Sequence, residues 1–560
     1  MVMDQRSMSS PALLSRRRML GLGAGLAAAF PLVGGCRTEA PGASQTPGGV
    51  TSFTPPSFIP PDQIPGASIS DIAGVPPAYT RYPSELVRSV KEVPGRGGEV
   101  STFQVFEQAP PPSDNPWLNE FNERLGVTLR PTYAAGPSYG EKVQTMMASG
   151  DLPDITWIER SIAPGLIQPM LQGAFTDLTD LLAGSGIDPY PNLARIPTYA
   201  WRNSTVNGML LGVPSALPMV NQVTMYRKDW ATELGYTEPP RDAQEVMELL
   251  AEFTRGNHRG KQGGDTWGLA TLGHGIGLAH QMFRVPNEWR IEDDGSLTNE
   301  IETDEFEAAT EYLVELWNSG AFHPDAATLP VLDAQNIYQN GRIGLLPAGV
   351  TPHYRTMLPA LLANVPESEP TAITPPGHDG GDPVIHQEQG YFGIAAIPSD
   401  VGKDVERLEE LLRIIDYWCA PFGSEEHTFI NYGIEGRHFA FDDQGTPVPT
   451  AGDVWAREVS GPSWLVAPRE AAFFFPGNTE WGVAAQKAVA AAVPQSVENP
   501  TSNLISDTDV RQSGSLNEMY DDYLYGIITG RRSLSELTEW RDEWRRAGGD
   551  DIRNEYEDVM

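Results

Sequence analysis

Cysteine is nearly absent from this chain of 560 residues, which contains only Cys36 and Cys419. Cys36 follows a short apolar segment near the start of the chain and is expected to carry lipid. With one thiol left, no intrachain disulfide can form, so the fold depends on core packing. Cys419 ends an apolar helical pattern, which indicates a small buried residue rather than a nucleophile.

Positive charge is also scarce, because 39 Lys and Arg residues face 74 Asp and Glu residues and the formal net charge is −35. A field of this sign repels nucleic acid and anionic lipid head groups, so neither is an expected partner. The sequence contains no His-Glu-x-x-His zinc motif and no phosphate-cradling loop. We therefore expect no metal and no cofactor.

A long hydrophobic run is missing as well. The apolar stretch at 20–33 is interrupted by glycines and Pro31, and it is too short to span a bilayer. It follows Arg16-Arg17-Arg18 and precedes Gly34-Gly35-Cys36, an arrangement typical of twin-arginine export with lipoprotein cleavage. We predict that residues 1–35 are a signal peptide and that lipid on Cys36 anchors the protein to the outer face of the cell membrane. A permanent transmembrane helix is the alternative.

The segment that follows is rich in proline and glycine. Residues 37–98 contain eleven prolines and eight glycines, with little periodic hydrophobicity. Such a composition is typical of an extended linker that cannot bury enough surface to order itself. We predict a tether over 36–98 that lifts a globular body clear of the membrane.

Regular structure is expected from Glu99 onward. Strands at 100–106, 127–133 and 154–158 alternate with helices at 115–125 and 141–149. A β-α-β-α-β order predicts a parallel sheet covered by helices. Ligands bind at the carboxyl ends of such strands, which places Trp157 and Glu159 on the candidate binding edge.

Helices and short strands then alternate to the end of the chain. Capping residues predict helices that begin after Asp242 and Ser533, and apolar stripes predict two more, at 304–319 and 405–418. Late strands at 343–346, 372–374 and 391–397 predict an α/β fold of two lobes that exchange chain segments. We assign 99–220 with 375–425 to one lobe and 221–374 with 426–560 to the other. A cleft between two such lobes is a natural small-molecule site.

Several stretches resemble the extracellular solute-binding proteins of family 1, especially large members that are similar to alginate- and aldouronate-binding receptors. They are Met-Met-Ala-Ser-Gly-Asp-Leu-Pro-Asp-Ile at 146–155, Phe-Thr-Asp-Leu at 175–178, Val-Asn-Gly-Met-Leu-Leu-Gly-Val-Pro at 206–214, Met-Tyr-Arg-Lys-Asp-Trp at 225–230, Asn-Tyr-Gly-Ile-Glu-Gly-Arg-His at 431–438, Asp-Gln-Gly at 443–445 and Gly-Gly-Asp-Asp-Ile at 548–552. The resemblance implies a periplasmic-binding-protein-like fold with crossover hinge strands. It also implies a monomer that delivers a solute to the permease subunits of an ABC importer and carries out no chemistry on it.

The resemblance also indicates which residues face the cleft. By the family pattern they are Trp157, Glu159, Asn221, Tyr226, Arg227, Gln389, Tyr391, Glu435 and Arg437. Sugars are bound by flat aromatic faces together with planar polar groups, which favours an oligosaccharide as ligand. The aromatic candidates are Trp157, Tyr226, Tyr391, Trp455, Trp464 and Trp481.

One feature of the alginate-binding relatives is not reproduced. Their acidic calcium loop corresponds to residues 257–265 of this chain, where Arg259 and Lys261 occupy positions that need negative charge and only Asp265 is acidic. Because calcium requires several oxygen ligands including carboxylates, we predict no calcium at this loop.

An enzyme is the alternative to a binding protein. Gly136-Pro-Ser-Tyr-Gly140 fits the Gly-x-Ser-x-Gly pattern of a hydrolase nucleophile, but an α/β-hydrolase places more strands before it. A polysaccharide hydrolase with paired carboxylates also stays open, since 74 acidic residues guarantee accidental pairs. Among ligands, peptides and other solutes remain alternatives to an oligosaccharide.

Overall fold

The first lobe is built on a mixed five-stranded sheet. We describe a computed structural model that covers residues 53–106, 109–159, 166–256, 265–450, 453–461 and 472–560. In hydrogen-bonded order the strands of this sheet are Thr128–Ala134, Glu99–Val105, Ile155–Ile158, Tyr391–Ala396 and Val213–Ala216. The first three are parallel and the fourth is antiparallel to Ile155–Ile158. The predicted β-α-β-α-β opening is therefore confirmed.

Helices cover this sheet and close the largest core. They are Pro116–Leu125, Gly136–Ser149, Ile167–Leu171, Thr179–Leu182, Thr198–Asn203, Ser399–Gly402, Val405–Trp418 and Glu425–Tyr432. The first helix begins where the Asn115 side chain accepts hydrogen bonds from two backbone N–H groups, and it ends at Gly126. Gly126 has a φ of 72°, a left-handed conformation that favours glycine and lets the chain turn directly into the next strand.

The second lobe contains a three-stranded antiparallel sheet. Gln222–Arg227 is its central strand, flanked by Leu345–Gly349 and Pro370–Ile373. The helices on this side are Lys228–Glu233, Ala243–Arg255, Leu272–Phe283, Asp304–Asn318, Val331–Gln339, Val350–Pro352, Leu358–Asn364, Thr479–Ala492, Asp507–Ile528, Leu537–Trp544 and Asp550–Glu557. They enclose two further apolar cores. The predicted α/β fold with two sheets and exchanged segments is confirmed.

Small strand pairs lie outside the two sheets. They are Ala67–Ser68 with Ala78–Tyr79, Trp289–Ile291 with Leu297–Asn299, Ile385–His386 with Ser496–Val497, and Phe439–Phe441 with Pro447–Pro449. The third pair is parallel and joins the returning chain to the segment after helix Thr479–Ala492.

Capping residues mark the predicted helices correctly. The Asp242 carboxylate accepts a hydrogen bond from the backbone N–H of Glu245 at 2.9 Å, and the apolar stripe that follows is buried. Ser533 and Glu536 form the predicted capping box, although the first turn after Ser533 is a 3₁₀ turn. None of the helices in the described ranges is long and apolar enough to cross a membrane.

The predicted tether is wrong from residue 53 onward. Tyr79 and Tyr82 are each 2% exposed and pack with Phe422 and Phe474. The Tyr82 hydroxyl lies 2.7 Å from the Thr428 hydroxyl. Composition alone misjudges this segment, because a proline-rich chain that cannot form its own core still becomes ordered when its aromatic side chains enter an existing one. Residues 36–52 lie outside the described part.

The boundary between the lobes also differs from our division. Phe429, Ile430 and Val459 belong to the core of the five-stranded sheet, although we assigned 426–560 to the second lobe. Helix Glu425–Tyr432 belongs there because the Phe429 ring stacks on the Trp117 ring with centroids 5.2 Å apart. Our division of the lobes did not foresee this contact, because sequence patterns do not show on which surface a segment packs.

Candidate ligand-binding site

An aromatic cavity of about 330 Å³ lies where the two lobes meet. The second lobe contributes Tyr354, Arg355, Pro359, Phe475, Pro476, Asn478 and Trp481, and the remaining described lining residues are Trp418, Ala420, Phe422, His427, Asn431, Tyr432, His438, Phe439, Pro449, Trp455, Ala472 and Phe474. A concave site with many aromatic walls and a few polar groups is the usual form of a small-molecule site.

The aromatic walls consist of rings that hold one another in place. On one side Tyr354 packs against Phe475 and Trp481, with centroid distances of 5.6 and 6.4 Å. On the other side Phe422 packs against Phe474 at 5.2 Å. Because each ring also contacts a buried neighbour, the flat faces are fixed before a ligand arrives.

The wall behind Phe422 comes from the N-terminal segment. Tyr79 stacks on Phe422 with centroids 4.1 Å apart and an interplanar angle of 19°. Tyr82 contacts Phe422, Tyr432 and Phe474 at centroid distances between 5.1 and 5.7 Å. Residues 78–82 therefore support the site from outside, although they do not line it.

Polar groups enter the cavity between the rings. The backbone oxygen of Asn431 accepts a hydrogen bond from Trp455 Nε1 at 3.1 Å, and its side-chain amide donates to the backbone oxygen of His427 at 3.0 Å. These bonds orient the Trp455 ring and leave the side-chain oxygen of Asn431 as a hydrogen-bond acceptor beside it.

An ion pair and a buried histidine hold the loop beside the cavity. His438 is fully buried; the backbone N–H of Ile434 donates to its Nδ1 at 2.9 Å, so Nε2 carries the proton and donates to Glu458 at 3.1 Å. Arg437 donates to both oxygens of Glu458 at 2.8 and 2.6 Å, which lowers the pKa of that carboxyl. Gly433, at a φ of 91°, leaves room for the His438 ring.

Tyr354 and Arg355 lie in a π-helical turn, His353–Met357, between helices Val350–Pro352 and Leu358–Asn364. Such a wider turn changes the direction of the side chains it carries and often occurs at functional sites. Arg355 is exposed to the cavity, and the surrounding protein lowers the pKa of its guanidinium by desolvation. An arginine nevertheless stays protonated.

Comparison with known proteins identifies a family that this chain resembles. Residues 117–380 match the sequence model described as bacterial extracellular solute-binding protein. Over these residues the chain is similar to the bacterial extracellular solute-binding proteins. The prediction of a binding protein rather than an enzyme is thereby confirmed.

Two curated relatives and one solved structure extend the match along the chain. Polygalacturonan/rhamnogalacturonan-binding protein YtcQ of Bacillus subtilis is 23% identical over 473 residues, which cover 82% of this chain and 91% of that protein. Lipoprotein LipO of the same species is 23% identical over 462 residues, covering 79% and 88%. The crystal structure of alginate-binding protein AlgQ2 matches with a TM-score of 0.59 and 15% identity, covering 85% of this chain and 99% of that one. The last match confirms the two-lobed fold.

Trp157 lies in the core of this solute-binding protein rather than at its cavity. It is 3% exposed, belongs to the cluster under the five-stranded sheet, and its ring centroid is 5.9 Å from that of Phe392. Its backbone oxygen accepts a hydrogen bond from the Tyr139 hydroxyl. This placement favours a structural role, so a contact with ligand is still only a prediction.

Tyr226 and Arg227 lie on the central strand of the second sheet. Tyr226 pairs with Leu345 and Thr371 and is 5% exposed. The Arg227 guanidinium binds Asp229 and stacks over the Trp230 ring at 4.4 Å. Neither side chain lines the cavity, and the engaged charge of Arg227 indicates a structural role.

Glu159, Asn221, Gln389 and Tyr391 lie outside the cavity lining. The backbone oxygen of Asn221 accepts a hydrogen bond from Val350 at 2.8 Å, and that of Gln389 accepts one from the Asn203 amide at 3.0 Å. Tyr391 pairs with Ala216. Asn221 and Gln389 thus lie on the crossovers between the lobes, and Glu159 follows strand Ile155–Ile158. Their roles toward ligand stay predictions.

Among the residues predicted from the family pattern, Glu435 and Arg437 lie nearest in sequence to the cavity lining. His438 and Phe439, directly after them, line the cavity. Trp455 and Trp481, proposed from aromatic chemistry, also line it. Trp464 lies outside the described residues, as do residues 257–264 of the loop for which we predict no calcium. The absence of calcium there stays a prediction.

Sequence reasoning missed Tyr354, Arg355, Phe422, Phe474 and Phe475. A signal existed for the last two, since Phe473-Phe474-Phe475 followed by Pro476 is an aromatic run at a turn. Trp418 was assigned to a core stripe; it is 2% exposed and also forms part of the cavity wall.

The nucleophile pattern at 136–140 forms an ordinary helix start. Ser138 lies in the first turn of helix Gly136–Ser149, and its hydroxyl donates to the backbone oxygen of Ala135 at 3.2 Å. Tyr139 is fully buried. A hydrolase nucleophile instead sits on a strained turn that exposes its hydroxyl, so the pattern is a coincidence of spacing.

Proposed function

We propose that this solute-binding protein captures an oligosaccharide in the aromatic cavity and delivers it to the permease subunits of an ABC importer. The observation that carries the proposal is the set of flat aromatic faces contributed by both lobes, with amide and imidazole groups between them. Sugar C–H faces stack on such rings, and hydroxyls bind planar polar groups. The similarity to a polygalacturonan/rhamnogalacturonan-binding protein and to an alginate-binding protein supports a carbohydrate.

Binding between the lobes supplies the mechanism. A ligand that contacts Trp455 on one lobe and Trp481 on the other gains both contacts only when the lobes approach, so it shifts the population toward the closed form. The closed form is the one that a permease distinguishes from the empty receptor. We expect a monomer.

The test compares two half-buried tryptophans. Trp481→Ala removes a cavity face and should weaken oligosaccharide binding by about 1 to 3 kcal/mol, with little change in the melting temperature of the free protein. Trp317→Ala removes a half-buried tryptophan of helix Asp304–Asn318, which packs on Phe322 outside the cavity lining, and is the matched control.

Calorimetry against an oligosaccharide library measures the affinity of both variants. The sugar should be recovered intact, without new reducing ends, because a receptor does not hydrolyse its ligand. If the two variants bind the library's best ligand with equal affinity, the proposal that the sugar binds in this cavity is contradicted.

We also propose that lipid on Cys36 anchors the mature chain after twin-arginine export. The relative called Lipoprotein LipO supports an anchor, and Cys36 follows the residues expected at a cleavage site. Cys36→Ser should release folded receptor from the membrane fraction into the medium, while Cys419→Ser, at a buried thiol, should stay anchored. Immunoblotting of the two fractions measures this. Retention of the Cys36→Ser protein would favour an uncleaved helix.

A further inference from the structure

One cation, the guanidinium of Arg355, lies at the wall of the cavity. The Arg355 guanidinium makes no hydrogen bond or ion pair with any residue in the described ranges, and Arg355 lines the cavity together with several aromatic residues. Several other arginines bind carboxylates, as Arg227 binds Asp229 and Arg437 binds Glu458. As far as the described residues are concerned, the five donors of Arg355 are therefore available for a ligand.

The charge around Arg355 has the opposite sign to the rest of the molecule. The whole chain has a formal charge of −35, yet no Asp or Glu is found among the described residues that line the cavity. The titratable lining groups are Arg355, His427, His438, Tyr354 and Tyr432. His438 is already engaged with Glu458. Among the described lining residues, a negative ligand group inside the cavity would thus meet the cation of Arg355 and no carboxylate.

The surroundings strengthen such a contact. Arg355 is exposed at the cavity, but nearby protein atoms lower its pKa by desolvation, so an anionic partner there competes with fewer water molecules than in bulk solvent. A guanidinium forms two parallel hydrogen bonds to a planar carboxylate, and this geometry makes arginine selective for that group.

We propose that the ligand is an acidic oligosaccharide and that Arg355 binds the carboxylate of one of its uronic acid units. The aromatic faces of Tyr354, Trp455 and Trp481 then hold the sugar rings while the guanidinium fixes which unit occupies the cavity. This inference rests on the proposed oligosaccharide function. The experiment distinguishes a failure of that function from a failure of the contact between Arg355 and the carboxylate.

The experiment uses an oligogalacturonate and the same oligosaccharide with its carboxyls methyl-esterified, which keeps the skeleton and removes the charge. The full mature protein should bind the acid more tightly than the ester, and increasing salt should weaken only the acid. Arg355→Gln should weaken the acid about 10- to 100-fold and leave the ester unchanged. Arg355→Lys, which keeps the charge without the paired donors, should fall between them.

Arg241→Gln is the matched control, because Arg241 is exposed, binds Glu245 and lies outside the cavity lining. Melting curves of all variants should coincide with that of the unmodified protein. Unchanged affinity for the ester shows that a variant has not lost sugar binding in general. Equal affinity for acid and ester in the unmodified protein, or an unchanged affinity for the acid in Arg355→Gln, overturns the inference and leaves the oligosaccharide function standing. Binding of a sulfated oligosaccharide as tight as that of the acid overturns the carboxylate assignment. If neither acid nor ester nor any neutral glycan binds, both proposals fail.

Discussion

At the scale of single residues, Trp157 separates a buried aromatic from a ligand-facing one. Its ring packs so closely on Gly393 that a Cβ built there would lie 2.6 Å from a ring carbon. Trp157→Ala should therefore lower the stability of the first lobe by about 3 to 5 kcal/mol and leave the affinity of the surviving folded protein nearly unchanged. Denaturant unfolding followed by circular dichroism, beside calorimetry, measures both, with Trp157→Phe as the milder control. If Trp157→Ala leaves the unfolding transition unchanged but lowers the affinity for ligand, Trp157 contacts the ligand and our structural interpretation is wrong.

At the scale of elements, the sequence predicts local structure far better than it predicts which surface an element joins. Asp242 and Ser533 mark helix starts because a cap is made within four residues of chain. The N-terminal segment has no such signal: its order comes from Tyr79 and Tyr82, whose partners Phe422 and Phe474 lie hundreds of residues away. The role of Arg355 was equally unpredictable, because both its π-helical turn and its position at the cavity wall depend on the tertiary structure. The position of the lining residues 438–439 could be predicted approximately, but only because the family pattern indicates the preceding loop as part of the site.

At the scale of the whole molecule, the crossovers that join the lobes are linked to one another. The backbone N–H of Leu217 donates to Gly390 at 2.9 Å, and that of Glu388 donates to Met219 at 2.8 Å. Segments near 217–219 and 388–390 should therefore bend together, which is the behaviour of a hinge. The N-terminal segment adds a second link, since Gln486 of the second lobe donates to the backbone oxygens of Ser68 and Pro76 while Tyr82 bonds to Thr428 of the first.

A linked hinge with ligand contacts on both lobes predicts closure on binding. Saturating oligosaccharide should decrease the radius of gyration in solution scattering, because the two walls of the cavity approach each other around the sugar. Trp481→Ala at the same sugar concentration is the control, since a receptor that has lost affinity should stay open. The segment at 53–98 should close with the lobes rather than block them, because its bonds to Gln486 and Thr428 lie near its middle and leave the chain on either side to adjust. A constant radius at calorimetric saturation would mean that the cavity is already closed in the empty protein and that binding selects no new state.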